Sequence, residues 1–360
     1  MRADGRIHAT VRPSPLHVPL NPEPLMNLHR RPARTAARRA AQAVAALGAA
    51  TLLLTACGSD SDSGKPSGDK AGKADSASSA TRTVKDATGK AVEIPAQPKR
   101  IVTLTQEDLD AVLALDIEPV GITNGQGLDK PPAYLADKVE GVNIVGNLLQ
   151  PVMDKVVAAK PDLILAGDMQ DEQVLKQLRE ITPATLVTMA PTDDWKLFFR
   201  GVGNAVNKLD AANKFITDHE AAAKAAGEKL GANKGAEVSI VRWNPDGPSW
   251  MENKQFASGV ALEMGLKRPA SQNKDGNAHT PSLSLEKINE IDGDWLFLST
   301  LTSDGEKALN DVQSKPAYKE LGAVKKGHAV TVDGSVWSTR GGPLAADVVL
   351  NDYVKALSAK

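Results

Sequence analysis

From about residue 100 onward, short apolar runs rich in β-branched residues alternate with stretches in which apolar residues recur every three or four positions. The first pattern reads as strands of a parallel sheet and the second as helices packed against it. The strand-like runs are RIVTL (100–104), EPVGI (118–122), VNIVG (142–146), DLILAG (162–167) and ATLVTM (184–189), followed by EVSIVRW (237–243), DWLFLST (294–300) and HAVTVD (328–333). Between them, QEDLDAVLAL sets Leu109, Val112 and Leu113 on one helix face, and DEQVLKQLREI does the same with Val174, Leu175, Leu178 and Ile181. Residues 193–230 hold no such run; their composition is helical, broken by Gly201, Gly203 and Gly227. Five strands therefore precede a helical connector and three follow it. The pattern predicts an α/β protein of two Rossmann-like lobes with parallel sheets, joined by a helix. Its ligand cleft is expected between the lobes, at the carboxyl ends of the strands.

The first 81 residues obey a different pattern. Arg30, Arg31, Arg34, Arg38 and Arg39 precede an Ala/Leu-rich stretch, 40–56, which is the charge-then-apolar layout of an export signal. That stretch is interrupted by Gln42 and falls short of the ~20 apolar residues a spanning helix needs. Leu54-Thr55-Ala56-Cys57 resembles a bacterial lipobox, so Cys57, the single cysteine of the chain, is expected to become the lipidated N-terminus after cleavage. One cysteine leaves no intrachain disulfide. Two acyl chains hold a protein at a membrane face far better than one, because each buried methylene adds about 0.8 kcal/mol. Residues 58–80 are rich in Ser, Gly, Asp and Lys and carry no aliphatic side chain larger than alanine, the composition of a flexible leash. Residues 1–25 hold no apolar run, and Met26 is expected to be the true start. The expected division is 1–56 extension and signal, 57–81 linker, 82–191 N-terminal lobe, 192–231 connecting helical segment and 232–360 C-terminal lobe.

Charge and chemistry narrow the function. Removing residues 1–56 takes eight of the 43 basic residues and two of the 44 acidic ones, which leaves a net charge of −7 and no attraction to nucleic acid. The remaining histidines, His219, His279 and His328, are scattered and have no thiolate to help them, so a bare transition-metal site is not expected. Any metal the protein carries should arrive already wrapped in a chelator. No G-x-G-x-x-G follows a strand and no G-x-S-x-G occurs. GAVKKGHA (322–329) misses a phosphate loop because His328 replaces the lysine and a strand follows. Asp193 and Asp194 read as a helix start. The sequence points to a binding protein without a resident cofactor and not to an enzyme.

The residues also carry a resemblance. TVKDATGKAVEIPAQPKRIVTL (83–104), ALDIEPVGI (114–122), VGNLLQPVMDKVVAAKPDLILAG (145–167) and KPAYKELGAVKKGHAVTVDGSVWSTRGGPLAADVVLNDYVKAL (315–357) resemble the iron-siderophore and cobalamin substrate-binding proteins of ABC importers, in family order over 82–358. The resemblance implies two lobes held by a long rigid connecting helix, a shallow cleft, and a monomer at the extracytoplasmic face of the cell membrane. It also implies docking to a permease powered by a cytoplasmic ATPase. The family docks through one acid on each lobe; PVMDKV puts Asp154 at the first position and SLEKI puts Glu286 at the second. Both acids also suit a helix N-terminus. RWNPDGP and WSTRGGP look like the siderophore-binding members and favour a ferric hydroxamate as the ligand.

Strand-end positions supply the candidate contacts. Arg242, Trp243 and Trp250 flank the first C-lobe strand, and Trp337 and Arg340 follow the last. Arginine offers a planar fork of donors that keeps its charge. Lys254, Lys267 and Arg268 could add charge, and Gln106, Asn124, Asn147 and Gln150 could supply amides from the N-lobe, with Tyr134 as a further ring. Cobalamin or haem capture by the same fold stays open; haem would ask for an axial Tyr or His, for which Tyr134 and His279 are the candidates. A surface adhesin without a transporter also stays open.

Overall fold

The computed structural model describes residues 80–358; Met26, the lipobox with Cys57 and the leash lie outside them. The first element is a hairpin of β1 (Thr81–Lys85) and β2 (Ala91–Pro95), absent from the strand runs above. The carboxylate of Asp86 organises its turn by accepting from the backbone N–H of Thr88 and Lys90, both at 3.0 Å. Next come β3 (Ile101–Thr103), β4 (Ile122–Thr123), β5 (Ile144–Asn147), β6 (Gln150–Pro151), β7 (Leu163–Leu165) and β8 (Thr185–Leu186). β8, β7 and β3 pair in parallel, and a parallel bridge from Val102 to Gly121 carries the layer on toward β4 and β5. β6 closes that edge antiparallel to β5.

The C-terminal sheet has the order β10-β9-β11-β12, from β9 (Val238–Asn244), β10 (Gly247–Trp250), β11 (Trp295–Ser299) and β12 (Ala329–Thr331). β9, β11 and β12 are parallel and β10 turns back against β9. Continuous apolar runs form the central strands β7 and β11 because helices cover both faces, and every residue of both is buried. Each of the eight runs marked from the sequence overlaps a strand, EPVGI only at Ile122, the first residue of β4, whereas β1, β2, β6 and β10 are short or edge elements with weak patterning.

The connector is two helices, Trp195–Ala205 and Leu209–Glu228. Asp194 caps the first, accepting from Leu197 N–H at 2.7 Å. The break falls at Asn207, whose φ is +57°, and not at the glycines. Gly203 lies within the first helix, where a Cβ would stand 2.7 Å from that of Ala212, so its bare backbone lets the two helices approach. One hydrophobic core runs through both sheets: Ile101 and Leu163 from the first, Phe198 and Phe199 from the connector, and Ile240, Phe297 and Tyr353 from the C-lobe.

The lobes are fastened by the final helix, Pro343–Leu357. Its first-turn N–H groups lack partners of their own, and Asp110, on the N-lobe helix Gln106–Ala114, accepts from Leu344 at 2.7 Å and Ala345 at 2.9 Å. The Tyr134 hydroxyl donates to the same carboxylate at 2.8 Å. Burial outweighs these donors and pushes Asp110 up to about 7.

Candidate ligand cleft

Strand alternation decides which side chains of β9 and β10 can face the cleft. Successive residues point to opposite faces, while directly paired residues share one. Val241 pairs with Trp250 and Arg242 with Ser249, so Trp243, Val241 and Trp250 lie on one face and Arg242 and Ile240 on the other. The first face is core. Trp243 and Trp250, each 2% exposed, pack with Ile288, Leu298 and Leu309. The expectation that Arg242 and Trp243 would both line the cleft is therefore corrected: neighbours on one strand cannot share a face.

Arg242 is half-buried, and burial lowers its pKa. Its guanidinium donates to Nε2 of His279, while its Nε–H is buried and meets no acceptor among the described residues. The turn that returns the chain beside it is tight: Gly247 has φ +133°, and a Cβ there would fall 2.3 Å from the Leu283 carbonyl.

Trp337 is also corrected from ligand contact to core. It is fully buried, stacks on Phe297 at 5.0 Å, lies 4.8 Å from the Tyr353 ring, and donates from Nε1 to Asp352 at 2.9 Å. Arg268 is buried, with its donors engaged by Val238 O, Met251 O and Gln272, and adds nothing to the cleft. Lys254 is exposed and paired with Asp275 at 3.2 Å. Arg340 reaches across to the N-lobe, donating to Ala190 O at 2.6 Å and Asp193 O at 3.3 Å, with Asp168 3.7 Å away.

On the N-lobe, Gln106 is buried and also fastens the lobes, donating to Ser335 O at 2.9 Å. Asn124 and Asn147 come together at 2.9 Å, and the buried Asn124 Oδ1 meets no donor among the described residues. Asn147 and Gln150 are exposed at the β5–β6 turn. Tyr134 is turned to Asp110 and stands apart from this group. Glu107, buried at the start of its helix near Asp108, Asp168 and the Arg340 backbone, is pushed up to about 7 by burial.

A cavity of about 560 Å³ opens beside Arg340 between the connector and the C-lobe, lined by Asp193, Trp195, Lys196, Lys254, Phe256 and Asn277. Below it, Lys196 bridges Glu220 and Glu263 at 2.7 Å each. Among the described residues no three His, Cys, Asp or Glu side chains converge as a metal site. Asp154 and Glu286 are exposed in the first turns of the helices Met153–Ala159 and Leu285–Ile291. Exposed apolar side chains flank them, Val152 and Val157 beside the first and Leu285 beside the second. Two contributors escape sequence reasoning: Asp168 as a partner of Arg340 and His279 as a partner of Arg242. Each lies far along the chain from the residue it meets, and no local pattern marks either.

The comparisons with known proteins agree with this architecture. The model of the periplasmic binding protein family matches residues 101–336. The chain is 36% identical over 312 residues to the "Probable siderophore-binding lipoprotein YfiY" of Bacillus subtilis (strain 168), covering 84% of this chain and 93% of that protein. It is 28% identical to the "Iron(3+)-hydroxamate-binding protein FhuD" of the same organism, covering 78% and 86%. Among solved structures, Staphylococcus aureus SirA complexed with staphyloferrin B superposes with a TM-score of 0.67 at 24% identity, over 78% of this chain and 99% of that one.

Proposed function

Because the chain belongs to the periplasmic binding protein family, we propose that it is the lipid-anchored, extracytoplasmic receptor of an ABC importer, and that it captures a ferric siderophore of the hydroxamate class. It is a binding protein and not an enzyme. The single observation that carries the reading is the similarity to a siderophore-binding lipoprotein across nearly the whole of that relative. Cys57 is its anchor to the cell membrane, and it acts as a monomer.

The cleft's charge supports the hydroxamate class. Arg340 is held across the seam, which leaves Arg242, whose one hydrogen-bond partner among the described residues is His279, as the cleft guanidinium. Three hydroxamates neutralise ferric iron, whereas three catecholates leave a triple negative charge that one guanidinium balances poorly. Haem is disfavoured because the Tyr134 hydroxyl and both His279 nitrogens already have partners. Asp154 and Glu286, exposed beside apolar side chains, are the docking acids for the permease that the ATPase powers.

Calorimetric titration of the mature chain with ferrioxamine B, ferrichrome, a ferric catecholate, haem and cobalamin tests the ligand class. Saturation by a hydroxamate at micromolar or lower concentration is expected; saturation by cobalamin or haem alone would keep the importer and overturn the ligand. Asp154→Ala with Glu286→Ala should abolish uptake of radioactive iron while leaving affinity intact. A matching loss of affinity would remove the docking role.

A further inference from the structure

We propose that His279 is a positioning residue for Arg242, fixing its guanidinium for the ligand; the inference rests on the reading of this cleft as the siderophore site. The segment 278–283 is a strap laid along β10. Thr280 N–H donates to Trp250 O at 3.0 Å, Leu283 N–H to Pro248 O at 2.8 Å and Glu252 N–H to Ala278 O at 2.9 Å, and His279 bridges Met251 antiparallel. Met251 N–H in turn donates to Ile240 O at 3.0 Å. Across this ladder Ile240, Met251 and His279 stand in one row, and Arg242 lies two residues from Ile240, on the same face. The backbone thus delivers the imidazole to the guanidinium.

The ring chemistry is fixed by its other nitrogen. Nδ1 lies 3.0 Å from the Thr280 carbonyl, which only accepts, so Nδ1 carries the proton and Nε2 of the neutral ring presents a lone pair. Arg242 has donors only, and one of them meets that lone pair. A carboxylate in this place would orient the arginine equally well but would cancel the charge that an anionic siderophore oxygen needs. A neutral imidazole orients it and leaves the charge in place. Nη1 of Arg242 has no acceptor among the described residues and, unlike the buried Nε, is not closed off, so it is the donor left for a ligand.

Holding one long side chain in its bound rotamer is worth roughly three- to tenfold in affinity. Titration with ferrioxamine B should therefore show roughly that loss in His279→Ala and near-wild-type binding in His279→Gln, whose amide oxygen restores the acceptor. In an Arg242→Ala background, His279→Ala should change nothing further. An equal loss in both backgrounds, or no rescue by glutamine, would overturn the proposal. A second readout needs no ligand: in the ¹⁵N-labelled mature chain, long-range ¹H–¹⁵N correlation should give His279 as the Nδ1–H tautomer, with its Nε2 resonance shifted in Arg242→Ala. An Nε2–H tautomer or an unmoved resonance would overturn the pairing, whereas a failure of ferrioxamine B to bind the wild type, with the tautomer as expected, would count against the siderophore reading alone.

Discussion

Arg242 lies near the end of β9 and Arg340 in the loop after the short helix Gly334–Trp337 that follows β12, and on sequence grounds they are equivalent candidates for the same ligand. Their surroundings separate them. Arg340 reaches across the seam between the lobes, where Ala190 O and Asp193 O take up its donors and Asp168 lies close by. Arg242 lies on the β9–β10 hairpin, oriented by a neutral acceptor from its own lobe and with Nη1 free of any acceptor among the described residues. A guanidinium that meets carbonyls of the opposite lobe stabilises the structure, and one that meets only a neutral ring remains available for binding. The seam and the hairpin should therefore respond to mutation in opposite ways, the first in stability and the second in affinity.

The largest effect is expected at the seam. Asp110→Ala would leave Leu344 N–H, Ala345 N–H and the Tyr134 hydroxyl without their acceptor at a buried helix start. A lost cap and orphaned buried donors together cost about 3 kcal/mol. Calorimetry should show a midpoint lowered by roughly 6 °C or more, with little change in ligand affinity. A midpoint within a degree of wild type would mean that the final helix does not depend on the N-lobe. At the hairpin, Arg242→Ala should cost about 2 kcal/mol of binding, roughly thirtyfold in Kd, the range for hydrogen bonds from a charged donor. Its melting midpoint should stay close to wild type, and a large drop would move Arg242 to the seam class.

The contrast was only half legible in the sequence. The apolar runs of β7 and β11 are unambiguous because both faces of a central parallel strand are buried; EPVGI, by contrast, meets β4 only at Ile122. The edge strands β6 and β10 are short and carry no such signal. The strand-end rule offered Arg242, Trp243 and Trp250 together, and both tryptophans fall on the core face because proximity in sequence was allowed to outweigh the alternation of faces. Trp337 was offered by the same strand-end rule, but a short helix, Gly334–Trp337, follows the last strand and its ring packs between Phe297 and Tyr353. The partners that distinguish the two arginines, His279 and Asp168, are set by tertiary contacts that no spacing encodes.

Arg340→Ala sharpens the comparison at a smaller scale. Its side chain is about one-third exposed, so the lost hydrogen bonds to Ala190 O and Asp193 O should cost about 1.5 kcal/mol of stability. Binding of ferrioxamine B should stay within about threefold of wild type. A loss as large as that in Arg242→Ala would show that the ligand recruits Arg340 away from the seam, and the two arginines would then be equivalent after all.

The smallest expected effect per residue is a pH dependence that belongs to the N-lobe helix Gln106–Ala114 and not to the hairpin. Burial raises Asp110 and Glu107 to about 7 and Asp108 to about 6, above the ordinary carboxylate range that each regains on unfolding. Between those limits the folded protein binds protons that the unfolded chain does not, so stability rises as pH falls from about 7 toward 4 and declines as pH rises through 7. From pH 7.5 to 6 Asp110 and Glu107 each contribute about 1 kcal/mol of stabilisation and Asp108 roughly a third of that. Denaturant unfolding at the two pH values should show the gain, and Asp110→Asn, which cannot titrate, should lose the share due to Asp110. An Arg242→Ala protein should keep the whole gain, because the hairpin arginine is not among the contacts of these carboxyl groups. If the gain vanished there instead, the hairpin and the seam would be one coupled unit, and the separation of binding from stability drawn between the two arginines would fail.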